Sequence, residues 1–322
     1  MAKTLISDVI VPSVFLPYMI QRTAEKSRLI QSGIMAPSGV SIPEGGISVN
    51  MPFWNDLVGD DEILSDSAAL SVNSISAGRD VAAIHYRGKA WSVNDLAKAL
   101  SGDDPAGAIA DLMAEYWNRR MQAVLVATLN GAFNAASMAA SVLNISTLSA
   151  GAGIVSGESM IDAAFLLGDE YQRLSGVMMH SAVLQKLSKL NLIDYVKPSE
   201  GEAGLPTYQQ KAVIVDDTLL PATITVDAAS KYAYPVYMFG QGAIAYDENA
   251  QLAAIETDRD ILAGDDVITS RRGFILHPRG IRWQGTPAGV TPTNTELGTG
   301  TNWLLAFERK NVRIVKTVVR VD

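Results

Sequence analysis

From Ile109 onward the apolar residues Met113, Trp117, Met121, Leu125, Leu129 and Phe133 recur at every fourth position. That spacing predicts one i±4 ridge of a long α-helix buried along one side. Asp104 followed by Pro105 reads as a cap residue and a first-turn proline. The helix then runs for roughly 27 residues, about 40 Å at the usual rise. Arg119 and Arg120 fall off the ridge. Before it, the stretch Pro17–Ile34 predicts a short helix with a charged face, stopped near Gly33 and blocked at Pro37. Between the two helices, prolines and glycines punctuate short extended runs: Gly46–Phe53, Ala68–Ile75 and Val81–Tyr86. A two-stranded ribbon is marginal in water unless something covers it. Residues 37–92 must therefore fold back on the body or reach onto a neighbour.

Beyond the long helix, the Ala/Ser/Gly-rich stretch Ala135–Gly157 reads as a loose connection. Ser159 with Asp162 is a weak capping-box match opening a helix over Met160–Leu167. Ser181 is the expected cap of Ala182–Leu190, with Leu184, Leu187 and Leu190 on one face. Val213–Val215, Ile224–Val226, Val236–Phe239, Val267–Thr269, Gly273–Leu276 and Trp303–Phe307 are strand-like, and Asn311–Val321 alternates as a half-buried strand does. No internal repeat is present.

Composition narrows the chemistry. With 322 residues and 48% apolar content the chain can bury a sizeable core over about two domains. It has no cysteine, which removes disulfides, thiolate nucleophiles and cysteine-ligated metals, and fits synthesis in a reducing compartment. Its three histidines, His85, His180 and His277, are too far apart in sequence to form a short ligand motif. The apolar opening Leu5–Leu16 is broken by Asp8, Pro12 and Ser13 and does not read as a signal peptide. No run approaches the roughly 20 apolar residues of a membrane span, so a soluble protein without membrane contact is expected. A net charge of −8 argues against a dedicated nucleic-acid binder.

Catalytic motifs are scarce. No Walker A sequence or nucleophile elbow occurs. Gly240-Gln-Gly242-Ala-Ile-Ala245 matches a dinucleotide fingerprint in letters, but the following Tyr246-Asp-Glu-Asn249 looks like a turn rather than a helix. A tight strand-to-turn glycine pair is the preferred reading, and an α/β nucleotide-binding enzyme is kept as an alternative. The acidic run Asp258, Asp260, Asp265 and Asp266 lacks the order of an EF-hand and reads as a solvated turn. Neither a cofactor nor a metal is expected.

Several segments in order carry a family resemblance. Gly176-Val-Met-Met-His180-Ser-Ala-Val followed by Leu187–Ile193, then Val213-Ile-Val-Asp216-Asp217, Tyr237-Met-Phe-Gly240-Gln-Gly242 and Phe274-Ile-Leu-His277-Pro278-Arg-Gly280, resembles major capsid proteins of tailed phages. The layout of arm, extended ribbon and long helix is similar to the Hong Kong 97-type capsid fold. The resemblance implies an α+β protein with an N-terminal arm (1–36), an extended β-ribbon or E-loop (37–92), and a spine helix with the first part of a peripheral domain (93–150). An axial domain (151–255) and the rest of the peripheral domain (256–322) would follow. It also implies hexamers and pentamers of an icosahedral head enclosing double-stranded DNA. A separate scaffolding protein, a portal and decoration proteins are the further partners implied. An encapsulin-like compartment shares the fold and stands as the alternative within the shell class. Residues 27–88 contain no lysine, so covalent lysine–asparagine crosslinking from the ribbon is chemically unavailable.

Charge is unevenly spread. Residues 29–78 hold six acids, including Asp60, Asp61 and Glu62, and no Lys or Arg. Residues 267–322 hold nine basic side chains, among them Arg271, Arg272, Arg279 and Arg282, against three acids. The expectation is that the acidic ribbon docks on the basic C-terminal sheet of the next subunit, with Met51, Phe53 and Trp54 as apolar anchors. Solvated faces are the plain alternative. From the family layout, Arg22, Lys26, Arg119 and Arg120 are the expected nonspecific contacts to DNA phosphates on the inner surface.

Overall fold

The computed structural model describes residues 34–37, 46–57, 59–64, 70–94, 105–196, 205–249, 254–262 and 264–322. The chain opens with β1 (Met35–Pro37), β2 (Ser48–Trp54) and β3 (Ala77–Asn94), followed by the helix α1 (Pro105–Asn134). The next section alternates: β4 (Val142–Asn144), α2 (Gly157–Ala164), β5 (Leu174–Met179), α3 (Ser181–Lys189), β6 (Asp194–Val196), β7 (Leu205–Tyr208), β8 (Lys211–Val215), β9 (Ala222–Val226) and β10 (Ala229–Gly240). The last third is mainly strand: β11 (Ile244–Asn249), β12 (Ile255–Asp260), β13 (Asp265–Pro278), β14 (Ile281–Trp283), α4 (Asn294–Leu297), β15 (Trp303–Leu305) and β16 (Ile314–Val319).

Two large sheets organise these elements, and β14 and β15 form a separate antiparallel pair. One large sheet has the order β1-β11-β13-β3-β2, with β12 also on β13; the other runs β4-β16-β10-β5-β8-β7-β6, with β9 on β10. The ridge read from the sequence holds: Met113, Trp117, Met121, Leu125, Leu129 and Phe133 are all buried. Near its start α1 packs Met113 and Trp117 on Ile255 and Ile268 of the first sheet, and the Trp117 indole donates to Ser270 Oγ at 2.9 Å. Further along, Leu125, Leu129 and Phe133 share a cluster with Tyr237, Phe239 and Ile314 of the second sheet and Phe274 of the first. On the opposite face of the second sheet, Met160, Val183 and Leu187 of α2 and α3 pack on Val236, Met238 and Val315. Successive residues of β10 and β16 thus face different helices, because strand side chains alternate sides. That is why Val236–Phe239 of β10 and Ile314–Val315 of β16 are buried throughout.

Several local expectations shift. The capping box of α2 is Ser156 with Ser159, so the helix runs Gly157–Ala164 rather than Met160–Leu167. The cap of α3 is His180, whose Nδ1 accepts from the Ala182 N–H at 3.0 Å, and Ser181 is the first helical residue. Ala135–Gly157 is not loose: two 3₁₀ turns flank β4, which pairs with β16 and buries Met138 nearby. In the run Ala68–Ile75, residues 70–75 form no strand and are exposed. Val267–Thr269 and Gly273–Leu276 fuse into the single strand β13. The alternating C-terminal strand is shortened to β16 and is buried on both faces, which takes Lys316 to 9% exposure over the Tyr237 ring. The short helix read near Pro17–Ile34, except Ile34 itself, and the cap Asp104 lie outside the described residues.

Gly131 explains how α1 meets the segment after β14. A Cβ built there would lie 1.8 Å from the Leu297 carbonyl oxygen and 2.6 Å from the Trp303 ring nitrogen, which itself donates to that carbonyl at 2.7 Å. Helix propensity alone favours alanine over glycine by about 1 kcal/mol, while overpacking a close contact typically costs about 1–3 kcal/mol. Gly131→Ala is therefore expected to lower subunit stability against denaturant, opposite in sign to the propensity effect. A stabilised variant in urea unfolding of the unassembled subunit would contradict this packing account.

Candidate inter-subunit interface

The described part of the ribbon is an antiparallel pair in which Ser48 to Trp54 oppose Ala83 to Ala77. From Ile84 onward the same strand β3 pairs with β13 instead. The hairpin thus leaves the sheet at Ala83, with β2 as its only strand partner among the described residues. Its root is held by buried polar groups. Asp80, 2% exposed, accepts from His277 Nε2 at 2.9 Å and from the Gly280 backbone N–H at 2.8 Å. Burial alone would raise the Asp80 pKa; the His277 charge and the hydrogen bonds from His277, Gly280 and Val81 outweigh it and hold the carboxyl below its ordinary value. An aromatic contact adds to the clamp. Phe53 meets Phe307 edge-on, with ring centroids 4.6 Å apart. Gly78 and Gly280 flank this pair, since a Cβ at either would lie within 2.7 Å of a ring. Gly280 also needs its positive φ of 86°.

Beyond the root the character reverses. Trp54 is 70% exposed, Ile63 95% and Val72 96%, and Leu57, Leu64 and Leu70 are also open to solvent. Asp60 and Asp61 are exposed and form no ion pair among the described residues. Glu62 accepts from the Ser71 backbone N–H at 3.0 Å and from its hydroxyl. Those hydrogen bonds keep the Glu62 carboxyl below its usual range. Of the three apolar anchors expected from sequence, Trp54 remains outward. Phe53 is committed to Phe307, and Met51 packs with Val49, Ala82, Ile84 and Ile275 at the hairpin's own base.

The basic C-terminal residues are mostly engaged within the chain, so few charges of the basic C-terminal sheet expected from the sequence remain open. Arg272 is buried, pairs with Glu248 at 3.2 Å and lies over the Trp117 ring, so reversing its charge would test folding rather than assembly. Arg271 pairs with Glu256, and Lys310 with Asp169 at 2.7 Å. Arg309, Arg313 and Arg320 donate to the carbonyls of Ala140, Gln241 and Leu148. Arg279 is half-buried and engaged within the chain. Arg282 differs: its side chain has no carboxylate or carbonyl partner among the described residues, and its Nε is buried without a hydrogen bond. It lines a cleft of about 310 Å³ together with Arg79, Ile47, Trp283, Pro287 and Pro292.

The other sequence candidates resolve differently. Arg119 and Arg120 are exposed on α1, and Arg119 lies 4.0 Å from Glu115. Arg22 and Lys26 lie outside the described residues. Gly240 ends β10 and Gly242, at φ 64°, turns the chain into β11, which is antiparallel to β13. No helix opens there, so the phosphate cradle of a dinucleotide site is missing and the enzyme alternative loses its only motif. The acidic run forms the β12–β13 hairpin, where Arg259 pairs with Asp266 at 3.1 Å and Asp260 accepts from the Leu262 N–H in the turn. Among the described residues no three His, Asp or Glu side chains converge as metal ligands, and no helix is long and apolar enough to cross a membrane.

The structure also explains two of the motifs that carried the family resemblance. β5 and β8 are parallel, with Met179 opposite Val215. Asp217, just past β8, thereby reaches the start of α3 and accepts from the Ser181 backbone N–H at 3.0 Å. Hydrogen bonds from Ser181 lower the Asp217 pKa, as expected of a carboxylate at a helix N-terminus. Both motifs were visible in the sequence; their contact was not.

His85 gives this region a pH signature. It packs against Phe274 at 5.4 Å between ring centroids, and its Nδ1 is buried without a partner. Burial, with smaller contributions from Arg87 and His277, pushes its pKa from 6.5 down to about 3. The unfolded chain therefore takes up a proton that the fold refuses, and stability falls as pH drops from 6.5 towards 3. Asp80 contributes stability that is lost only lower, as pH falls through its depressed pKa below 3.8. His85→Phe, which keeps a ring against Phe274, is expected to flatten the stability profile of the unassembled subunit over the upper window. An unchanged slope between pH 6.5 and 4 in urea titrations would refute this assignment.

Comparisons with known proteins agree with this architecture. Residues 90–312 match the family model described as Gp13-like, major capsid protein 13-like. The chain is 41% identical over 322 residues to the major capsid protein of Bacillus phage SPP1, covering 98% of both proteins. The capsid of Ralstonia phage GP4 superposes with a TM-score of 0.55 at 9% identity, over 89% of this chain and 87% of that one. The capsid of cyanophage Pam1 gives 0.56 at 10% identity, over 86% of each. At such low identity these two structures speak for the fold alone. The model match and the long, well-conserved alignment go further: the chain belongs to the Gp13-like major capsid proteins of tailed phages, shell subunits of Hong Kong 97-like fold.

Proposed function

We propose that copies of this chain form the hexamers and pentamers of an icosahedral head enclosing double-stranded DNA, with the hairpin β2–β3 acting as an E-loop that reaches onto the neighbouring copy. In this reading α1 is the spine helix, residues 93–150 and 256–322 make a peripheral domain, residues 151–255 an axial domain, and residues 1–36 the arm. The observation that carries it is the contrast along the hairpin: a root clamped by Asp80–His277 and Phe53–Phe307, and a tip that leaves Trp54, Ile63 and Val72 in solvent. Covering each such side chain is worth about 1.5–3 kcal/mol, and a closed ring repeats the contact at every copy. A scaffolding protein, a portal and decoration proteins are the further partners of this role. Arg119 and Arg120, with Arg22 and Lys26, would meet DNA phosphates without sequence preference.

The contact is noncovalent, since residues 27–88 hold no lysine to crosslink. Electron microscopy of the purified chain, with scaffold if needed, is expected to show shells or capsomers. Particles from infected cells are expected to be filled with DNA. Ile63→Asp combined with Val72→Asp is expected to abolish particles while leaving the melting temperature of the free subunit within about 2 °C, as for exposed substitutions. Normal particles from this double variant would overturn the role given to the hairpin tip.

A further inference from the structure

The cleft beside the hairpin root has an unusual lining. It joins apolar walls, Ile47, Trp283, Pro287 and Pro292, to two guanidiniums, Arg79 and Arg282. Neither arginine has a carboxylate partner among the described residues, and Arg282 Nε is buried with its hydrogen-bonding capacity unused. This is the exception in a C-terminal region whose other cations are paired, hydrogen-bonded or buried within the chain. A buried donor without a partner is costly, and an anion in the cleft would supply the missing acceptor. The geometry asks for a ligand with carboxylates and apolar groups side by side.

The same chain carries such a segment. Asp60, Asp61, Glu62, Ile63 and Leu64 follow one another, are exposed, and belong to no helix or strand. The two acids Asp60 and Asp61 have no cationic partner among the described residues, just as the two arginines have no anionic one. We infer that the cleft between the hairpin root and the loop after β14 is the receptor for residues 60–64 of a second copy, Arg79 and Arg282 taking Asp60 and Asp61 while Ile63 and Leu64 cover the proline-lined wall. This rests on the hairpin tip reaching a neighbour and assigns its seat. Arg guanidiniums suit the task because they bind carboxylates in a fixed, often two-pronged geometry. Because every copy carries both cleft and segment at different places, the contact is head-to-tail, the kind that builds a ring where the rotation closes.

Charge exchange tests the assignment. R79E/R282E and D60R/D61R are each expected to lower particle yield by at least about tenfold, and the four-substitution chain to recover most of it, as paired charges exchanged across an interface should. Thermal melting of each free subunit checks folding; if R282E melts early, R79E with Arg282→Gln replaces it. Cysteine linkage gives an independent reading, because the chain has no cysteine of its own. Shells co-assembled from Asn50→Cys and Leu64→Cys single variants are expected to yield an oxidised dimer that neither variant forms alone.

Normal particles from R79E/R282E, or no recovery in the four-substitution chain, would overturn the inference. So would a disulfide that forms only when both cysteines lie in one chain, which would seat a subunit's own loop in its own cleft. If Ile63→Asp with Val72→Asp stops assembly but R79E/R282E does not, the reaching hairpin stands and only its assigned seat falls.

Discussion

The burial of α1 against both sheets is the constraint on which the rest of the structure depends. Its one apolar side touches the first sheet through Trp117 and both sheets through Leu125, Leu129 and Phe133. The helix is 30 residues long, so it spans the distance between the two sheets as a rod. Gly131 then lets the Leu297 carbonyl lie against the helix backbone, which brings the segment carrying Trp303 into the same core. Trp283 packs edge-on against Trp303, and Phe307 follows a few residues later, so the wall that receives the hairpin root is built on this helix contact.

That arrangement separates two kinds of surface. Where the chain closes on itself, polar groups are matched: Asp80 with His277 and Gly280, Arg272 with Glu248, Asp217 with the start of α3. Where it is open, both apolar and charged groups lack partners among the described residues, at the tip around Ile63 and in the cleft around Arg282. A solitary globular protein rarely keeps a projecting loop so apolar. A shell subunit has reason to, because its low-energy state is the assembly rather than the free chain.

Periodicity was enough to read α1, since a four-residue apolar repeat sustained over seven turns has no other economical explanation. The strands of the last third were legible for the same reason, and the ordered short motifs pointed to the shell class. Boundaries were harder. Ser181 looked like the cap of α3, yet His180 does the work, because an imidazole nitrogen facing the helix accepts as well as a hydroxyl. Asn311–Val321 looked half-buried, but β16 is covered by α1 on one side and by the second helical layer on the other, and alternation in letters cannot report how many layers will pack.

Composition, charge asymmetry and the helical ridge were thus settled by the sequence alone: a protein without thiol chemistry, with an acidic ribbon and one long packing helix. These depend on which residues are present and on their spacing along one element. Which charges remain available was decided only by the tertiary structure. Arg272 and Arg282 are ten residues apart and alike on paper, but one is folded against Glu248 and Trp117 while the other faces a cleft. Pairing of this kind is set by distances across the fold, between strands and loops remote in sequence, and no local pattern encodes it.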